Sequence, residues 1–480
     1  MFPIKSYRPL LLGLSLGFFM PNLAQASGFA LIENSASGQG NAFAGAAAHA
    51  TDGSTVWFNP AGMMTLDRDQ LVFAGHIVAP DASFNNNGSS QAAALGGGPL
   101  RGINDDGGAV AFVPNFYWVK TINDSTKFGL GVTSPFGLAT EYEFNQAAGP
   151  DSNFVGRYHG VLSDLKTINI NPSLAFRIND RVSIGGGLNI LFGSIDLTSA
   201  VDFGAACAAV AAAPPPGPAV AAGCAGSGAG PQDADGFADL SGDNFGNLST
   251  GFNLGMTIEA TDRTTVGLAF RSEVEMKMKG TADFTVPSNP FVQGAVTIIG
   301  VGAGGEVFVP SGISSTVTLP ASFSLSASHQ VSKFTWLADV TWTGWSSFDE
   351  LRIVYDNPAQ PDTVTTEKWD DTYRFSLGFD FQHSDAMVWR AGVAFDESPV
   401  PDAEHRTVRL PGNDRTWLSL GLTYMFNKDM SFDVAYSHLF IKDGPINNTL
   451  ESSIPTLNAT VTGEYEASVD ILSAQFNWYY

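Results

Sequence analysis

The chain has 480 residues, with 24 Lys and Arg against 47 Asp and Glu, so its formal net charge is −23. That balance repels nucleic acid, and the sequence contains no basic groove that would bind it. The mean hydropathy is +0.05, and no segment after residue 26 has the long uninterrupted apolar run of a transmembrane helix, which disfavours a helical membrane protein.

The first 26 residues are typical of a secretory signal peptide. Lys5 and Arg8 form a short basic region, Leu10 to Met20 is apolar, and Ala24-Gln25-Ala26 is a small-residue cleavage site. We therefore expect export, with Ser27 as the mature N-terminus. The apolar stretch is short for a bilayer span, which makes a retained anchor the weaker alternative.

Residues 27–66 are rich in Gly, Ala and Ser and do not follow a strand pattern. The residues that follow them predict a β-barrel in the outer membrane. Because residues 27–66 precede its first strand, we expect them to lie on the periplasmic side or to fold into the barrel lumen. A barrel of that size leaves an aqueous channel unless it is plugged. We interpret residues 27–66 as an N-terminal hatch, or plug; a disordered leader is the alternative.

The remaining residues, 67–480, alternate between apolar side chains and polar or small ones. Four clear stretches are Val182 to Phe192, Phe334 to Trp342, Phe375 to Phe381 and Leu418 to Phe426. A period of two with one apolar face predicts strands rather than helices. Aromatic residues and glycines are numerous, 35 Phe and 52 Gly, as in membrane barrels whose aromatics face lipid.

The connections separate a membrane barrel from a soluble sandwich, which would show the same alternation. Short polar turns alternate with long connections, an asymmetry typical of outer-membrane barrels. The turns lie at 123–124, 179–180, 261–262, 331–332, 383–385 and 427–429, and the long connections at 80–108, 144–163, 200–246, 276–314, 346–370, 396–414 and 442–464. Six turns and seven long connections join fourteen strands, so we predict an all-β, transmembrane antiparallel β-barrel with long extracellular loops.

One predicted strand contains a break, and the two longest loops have unusual compositions. Pro135 cannot donate to a strand ladder and Gly137 permits unusual dihedral angles, so together they predict a bulge or local loss of pairing. In a barrel wall such a break is either covered by protein or used as a window. The Ala/Gly/Pro-rich loops 200–246 and 276–314 fold either as helices that form a capture groove or as flexible surface covering.

The two cysteines, Cys207 and Cys224, lie in one Ala/Pro-rich loop. In an exported protein a local disulfide is expected for such a pair. No cluster of His or acidic residues accompanies them and no Gly-rich phosphate cradle opens a helix, so we expect neither a metal nor another cofactor. The seven histidines are scattered singly, and we do not expect an enzyme.

The C-terminal residues alternate to the end of the sequence, with Leu472, Ala474, Phe476, Trp478 and Tyr480 on one face. A last strand that pairs with the first closes the barrel, and closure is obligatory because unpaired backbone groups in hydrocarbon are costly. We expect this strand to be recognised by the barrel assembly machinery of the outer membrane.

Several stretches resemble the FadL family of outer-membrane long-chain fatty acid transporters. They are S-G-F from Ser27, S-A-S-G-Q-G-N-A-F-A-G from Ser35, N-P-A from Asn59, S-P-F-G-L-A-T-E-Y from Ser134, F-D-E-S-P-V-P from Phe395, L-P-G-N-D-R-T-W-L-S from Leu410 and F-N-K-D from Phe426. The resemblance implies passive uptake of long-chain fatty acids or similar hydrophobic compounds by a monomer surrounded by outer-membrane lipid and lipopolysaccharide.

The resemblance also implies roles for particular residues. Ligand is captured by the extracellular loops, held in a lumen pocket and released laterally through a kink in the third strand. The residues carried over are Phe29 at the N-terminal gate of the pocket, Asn59, Pro60 and Ala61 in the hatch, and Pro135, Phe136, Gly137 and Leu138 at the kink.

The expected cations for a fatty carboxylate are displaced in this sequence. Fatty-acid members carry a lysine just ahead of the strand that begins here at Asp371, whereas this chain has Asp370, with Lys368 two residues earlier. The second expected basic residue has no counterpart in 195–203. Arg374, inward by parity, is the leading replacement and Lys368 the second; a lumen ion pair is the alternative role for Arg374.

Two rival functions remain open at this point. The displaced cations weaken the fatty-acid reading relative to a channel for neutral aromatic or alkane substrates within the same family. A different kind of rival is a surface barrel whose loops mainly bind phage or host molecules.

Overall fold

The computed structural model describes residues 28–480, so the predicted signal peptide and Ser27 lie outside the described residues. The strands are β1 (Gln70–Asn86), β2 (Ala111–Asn123), β3 (Thr126–Thr133), β4 (Gly137–Glu141), β5 (Leu162–Asn179), β6 (Val182–Asp202), β7 (Asp235–Asp243), β8 (Ser249–Thr261), β9 (Thr264–Arg271), β10 (Val274–Thr285), β11 (Ser311–Leu319), β12 (Ser322–Val331), β13 (Phe334–Thr343), β14 (Glu350–Tyr355), β15 (Thr363–Thr366), β16 (Thr372–Ser384), β17 (Met387–Asp396), β18 (Arg415–Asn427), β19 (Met430–Ile441), β20 (Gly444–Thr449) and β21 (Thr460–Tyr479).

Short helices lie before the first strand and in the long connections. The α-helices are α1 (Ala36–Gly40), α2 (Thr55–Phe58), α3 (Phe203–Ala209), α4 (Gly217–Gly226) and α5 (Pro290–Ala303), and the 3₁₀ helices are Pro60–Thr65, Ala93–Leu95, Gln146–Ala148, Pro150–Ser152, Val210–Ala212, Trp345–Ser347 and Pro455–Leu457. None of the helices in residues 28–480 has the length and apolarity needed to cross a membrane.

The strands form a closed antiparallel barrel. β1 pairs with β2 on one side and with β21 on the other, in a register that runs from Gln70 opposite Tyr479 to Asn86 opposite Gly463. Four barrel strands consist of two segments each, β3 with β4, β7 with β8, β9 with β10 and β11 with β12. The barrel therefore has fourteen strands, which confirms the fold predicted from the turn count.

All six tight turns lie at one end of the barrel, at the predicted places, and we call this the tight-turn end. The predicted limits of several long connections were wrong, because strands continue past them: β1 reaches Asn86, β10 reaches Thr285 and β21 begins at Thr460. In these extensions the pairing of backbone groups persists after the apolar alternation has ended. The connections between β13 and β16 and between β19 and β21 also contain strands of their own, β14, β15 and β20.

The two faces of the wall differ as the alternation predicted. On β16, Phe375 and Leu377 are 46% and 64% exposed, whereas Arg374 and Ser376 are 6% and 2% exposed. The outward face is apolar and suits lipid, while the inward face is polar. Outward aromatic rings at the tight-turn end, including Phe334, Trp336 and Phe379, pack against one another, as in the aromatic girdles of membrane barrels.

Residues 28–66, called the hatch below, lie inside the ring of strands. α1 contacts β18, β19 and β21, whereas the 3₁₀ helix at 60–65 contacts β5, β6 and β8 on the other side. This helix begins where it does because the Asn59 side chain accepts the Ala61 N–H and Pro60 has no N–H to satisfy. Gly255 of the wall has no side chain at the docking point, where a Cβ would overlap Asn59 Oδ1.

The two longest connections contain helices rather than open coil. α3, α4 and α5 pack together around buried apolar side chains, and Cys207 is bonded to Cys224 across α3 and α4. Asn289 accepts the Phe291 N–H at the start of α5, and Gly304 in the left-handed region (φ +88°) ends it. Both loops therefore contain helices, and a capture groove formed by these helices stays a prediction.

Candidate functional site

The break in the third barrel strand is filled by the start of the hatch. β3 ends at Thr133 and β4 begins at Gly137. Across the gap, the Leu31 N–H donates to the Pro135 carbonyl (2.8 Å) and the Gly137 N–H donates to the Phe29 carbonyl (3.0 Å). Residues 28–32, called the N-terminal segment below, thus act as a short strand that satisfies backbone groups which the break leaves open.

Phe29 is the centre of an aromatic cluster just above this junction. Its ring centroid lies 4.9 Å from that of Trp345, 5.5 Å from Phe348, 5.7 Å from Trp369 and 6.0 Å from Phe136. Leu138 packs against the same cluster. Removing Phe29 would therefore leave an aromatic-lined space inside the wall, beside the break.

A cavity of about 160 Å³, called the inner cavity below, lies next to the N-terminal segment. Several of the residues singled out from the sequence line it together. Its walls come from the N-terminal segment, the hatch, the break and six barrel strands. Its lining includes Leu31, Phe58, Pro60, Pro135, Phe136, Arg271, Asp339, Arg374 and Asp396.

Arg374 reaches the inner cavity from β16. Its Nη1 donates to Ser376 Oγ (2.5 Å) and its Nη2 donates to the Ala42 carbonyl (2.9 Å), while Nε has no hydrogen-bond partner among the described residues. The guanidinium also lies 5.2 Å from the ring centroid of Trp417. Lys368, by contrast, is exposed, has a left-handed backbone (φ +48°) and is not in the lining of the inner cavity.

The Asn59-Pro60-Ala61 motif attaches the hatch to the wall. Asn59 Nδ2 donates to the Met256 carbonyl of β8 (3.0 Å) and to the Ala47 carbonyl within the hatch (2.7 Å). Pro60 lines the inner cavity. The motif is thus a contact between hatch and wall, and its Pro60 lines the same cavity as Pro135 and Phe136 of the break.

A polar network fixes the other side of the hatch. Arg390 of β17 lies 3.2 Å from both Asp380 and Asp433, and Asp380 accepts hydrogen bonds from Asn41 (3.0 Å) and His49 (3.3 Å) of the hatch. Buried charges are stable only when paired and hydrogen-bonded in this way. The hatch therefore supplies hydrogen bonds that stabilise a buried carboxylate of the barrel wall, Asp380.

A second cavity, of about 420 Å³ and called the outer cavity below, lies among the long connections. Apolar residues such as Phe284 of β10, Ile299 of α5 and Phe308 line it, together with Arg409 and His159. Arg409 donates to the Leu162 carbonyl (2.7 Å), and burial lowers its pKa to about 10. Burial also lowers the pKa of His159 to about 4, so the imidazole is neutral at physiological pH.

Sequence reasoning missed two cations, Arg271 and Arg409. Arg271 shares the parity of Gly267 and Ala269 and is opposite in parity to the outward Leu268 and Phe270, so the alternation contained a signal for its inward position. Arg409 lies outside the strands, and no local pattern marks it. Within residues 28–480, no group of three or more His, Cys, Asp or Glu side chains is arranged to hold a metal ion.

Comparisons with known proteins agree with this geometry. The family model described as "Outer membrane protein transport protein (OMPP1/FadL/TodX)" matches residues 17–480. The chain is 32% identical over 436 residues to the long-chain fatty acid transport protein of Escherichia coli K12, covering 88% of this chain and 90% of the relative.

Two solved structures have the same architecture. The crystal structure of a Pseudomonas aeruginosa FadL homologue superposes with a TM-score of 0.80 at 25% identity, covering 94% of this chain and 99% of that one. The crystal structure of the toluene transporter TodX of Pseudomonas putida gives a TM-score of 0.64 at 16% identity, with 95% and 100% covered. At that lower identity the likeness shows the fold alone.

Proposed function

The chain belongs to the outer membrane protein transport protein family (OMPP1/FadL/TodX), and from that premise we propose that it takes up long-chain fatty acids by passive diffusion. The coarser statement, an outer-membrane transporter of hydrophobic compounds, follows from membership of the family. The identity of the ligand, the gate and the exit are the proposal.

The observation that carries the proposal is the composition of the inner cavity. Its lining joins the N-terminal segment, the Pro60 of the hatch motif, the break at Pro135 and Phe136, and the Arg374 guanidinium. The lining is partly apolar and also includes Arg271 and Arg374 together with Asp339 and Asp396, so it offers apolar contacts to a hydrocarbon chain and two cations to a carboxylate. The unpaired Nε of Arg374 is a free donor for such a group.

The N-terminal segment is the gate in this mechanism. Its two backbone hydrogen bonds to the break, and the packing of Phe29 in the aromatic cluster, hold it in place. A ligand chain that takes the space of Phe29 displaces the segment. Pro135 and Gly137 then lose their partners, and the wall between β3 and β4 opens sideways.

A lateral exit has an energetic reason. Each CH₂ group transferred from water to hydrocarbon gains roughly 0.8 kcal/mol, so a long acyl chain gains on the order of 10 kcal/mol by avoiding water. An exit through the wall delivers the chain directly into the lipid around the barrel. Downhill movement of this kind needs no cofactor, and a single barrel is sufficient for it, so we propose a monomer.

The outer cavity is the proposed capture site. It lies at the long-loop end, is lined mainly by apolar side chains, and contains Arg409. A ligand that leaves water there exchanges solvent for apolar contacts before it reaches the inner cavity. Helices α3 and α5 form part of its surroundings.

Uptake by whole cells tests the function. Cells that lack the gene, with and without the chain restored, are given labelled oleate or labelled toluene. We expect restoration to raise oleate uptake. A rise for toluene alone favours the neutral-hydrocarbon channel, and no rise for either ligand together with a change in phage or host-cell binding favours the surface-binding rival.

Direct binding tests the role of Arg374. In Arg374→Ala we expect oleate affinity to fall about tenfold or more, the usual effect of losing a buried charge-assisted hydrogen bond, and toluene affinity to change little. Arg374→Lys retains the charge and serves as the matched control. Equal losses for oleate and toluene would reject a carboxylate-binding role.

A further inference from the structure

Arg271 joins the barrel wall to the hatch inside the lumen. It is the last residue of β9. Its Nη2 donates to the Trp57 carbonyl (2.7 Å), its Nη1 donates to Asn189 Oδ1, and its guanidinium lies 3.4 Å from the ring centroid of Trp57. Trp57 precedes the Asn59-Pro60-Ala61 motif by two residues, so Arg271 holds the hatch close to the point where it docks on β8.

Arg271 is also one of the residues that line the inner cavity. Each hydrogen-bond acceptor named above is neutral: one is a side-chain amide and the other a backbone carbonyl. A buried cation held by neutral acceptors is stabilised further by an anion, because a charge-assisted bidentate pair is roughly twice as strong as hydrogen bonds to neutral groups. A carboxylate that enters the cavity therefore competes with the Trp57 carbonyl for Arg271.

We propose that Arg271 is a specificity-determining residue that couples the charge of the ligand to release of the hatch. In the empty channel it holds Trp57. A ligand carboxylate in the inner cavity takes over the guanidinium, Trp57 loses its hydrogen bond and its stacking partner, and the hatch loosens beside the Asn59-Pro60-Ala61 motif. A neutral ligand of the same length enters the cavity but leaves this latch closed.

This inference deepens the proposed function and rests on it, since it requires a carboxylate in the inner cavity. It adds a selection step that the displacement of the N-terminal segment does not provide. Any chain that replaces Phe29 displaces that segment, whereas only an anion competes for Arg271. Arg374 also donates a hydrogen bond to the hatch, at the Ala42 carbonyl. Its Nε has no partner among the described residues, however, so it can bind a ligand without releasing that bond.

Hydrogen exchange of the purified full-length protein in detergent tests the latch. The readout is the exchange rate of backbone amides in residues 51–64, measured without ligand, with oleate and with oleyl alcohol, which has the same chain and no charge. In the unmodified protein we expect oleate to raise the rate about tenfold, the effect of one lost charged hydrogen bond, and oleyl alcohol to leave it nearly unchanged.

Arg271→Gln is the decisive variant. It removes the charge, so we expect its hatch amides to exchange faster without ligand and to respond equally to both ligands. Arg177→Gln is the matched control, because Arg177 of β5 also donates to a hatch carbonyl, that of Met64 (2.6 Å), but does not line the inner cavity. We expect this control to keep the difference between oleate and oleyl alcohol.

Folding of each variant is checked by its heat-dependent migration on gels. If Arg271→Gln does not fold, Arg271→Lys replaces it; the lysine keeps the charge but loses the planar stack on Trp57, so the hatch amides exchange faster before ligand is added. The latch is overturned if oleate and oleyl alcohol change the exchange rate equally in the unmodified protein. It is also overturned if Arg271→Gln keeps the full difference between the two ligands. Neither result contradicts fatty-acid uptake. Failure of oleate to bind the unmodified protein at all overturns the proposed function and the latch with it.

Discussion

Glu367 lies beside the gate, in the connection between β13 and β16. It is 3% exposed, and burial raises its pKa to about 8, against an opposing hydrogen bond from Trp369 Nε1 to Glu367 Oε2 (3.0 Å). Trp369 packs in turn on Phe29. The protonation of one carboxyl group is thus linked, through Trp369, to the Phe29 side chain at the centre of the aromatic cluster.

We expect the loop around Glu367 to lose stability as pH rises. The folded pKa of about 8 lies above the ordinary value of 4.5. Between these values the folded loop holds a proton that the unfolded loop releases, so the stabilisation is complete below about 4.5 and is lost as pH rises through 8. Exchange protection of residues 360–371, corrected for intrinsic rates, should fall between pH 5 and pH 8.5.

Two variants separate this effect from other titrations. Glu367→Gln keeps a neutral side chain at all pH values, so its protection should not change over the same range. Glu350→Gln is the control in the same connection: Glu350 pairs with Arg352, which lowers its pKa, and its removal should leave the fall with pH in place. A decline that persists in Glu367→Gln would assign the effect to another group.

At the residue scale, the alternation along a strand predicted whether a side chain points inward or outward but not which residues it contacts. Arg374 points inward, as its position opposite Phe375 required, and Arg271 follows the same rule. The alternation carries no information about which hatch residue an inward side chain meets. Trp57, which Arg271 contacts, lies 214 positions away in sequence. Lys368 was considered for its place in the sequence alone, and a loop residue has no parity to orient it.

At the element scale, the junction between the N-terminal segment and the break allows a direct test of the gate. Ala30 lies opposite Phe136 in an antiparallel bridge flanked by the two backbone hydrogen bonds. Such non-hydrogen-bonded pairs have Cα atoms about 4.5 Å apart, within the range that a disulfide bridges. A cross-link at this pair fixes the segment to the wall.

We expect Ala30→Cys with Phe136→Cys to block uptake when oxidised. The cross-linked segment cannot leave the break, so labelled oleate should enter at the rate of cells without the channel, and a reductant should restore entry. Each single cysteine variant controls for the loss of its side chain. Undiminished uptake by the fully cross-linked protein would show that ligand leaves by another route.

Element boundaries show where sequence signals end. The tight turns were predictable because each needs a short run of polar or turn-forming residues between two apolar alternations. The far ends of the strands were not: β1 continues through Asp81 and Ser83, paired with β21, after its apolar face has ended. There the ladder is stabilised by backbone hydrogen bonds that any residue can supply.

At the scale of the whole molecule, the number of strands determined the architecture. Fourteen followed from counting turns and long connections, and a cylinder of that size requires something in its lumen. The place of residues 28–66 was argued from this need for a plug and not from their own sequence. Their attachment by Asp380, Arg390 and Asp433 was not predictable, because it joins the hatch to strands more than 300 residues away.

The same reasoning predicts what removal of the hatch does. A variant that retains residues 1–27 and 67–480 keeps every strand of the closed barrel but loses Asn41 and His49 as partners of Asp380. Water then enters to solvate the exposed carboxylates and Arg390, which makes a wet pore lined by charge. In planar bilayers we expect this variant to conduct ions steadily, and the intact protein to conduct little. Heat-dependent gel migration establishes that the barrel has formed. A folded barrel without the hatch that conducts no more than the intact protein would mean that the wall itself collapses to close the lumen, and that the hatch is not what seals it.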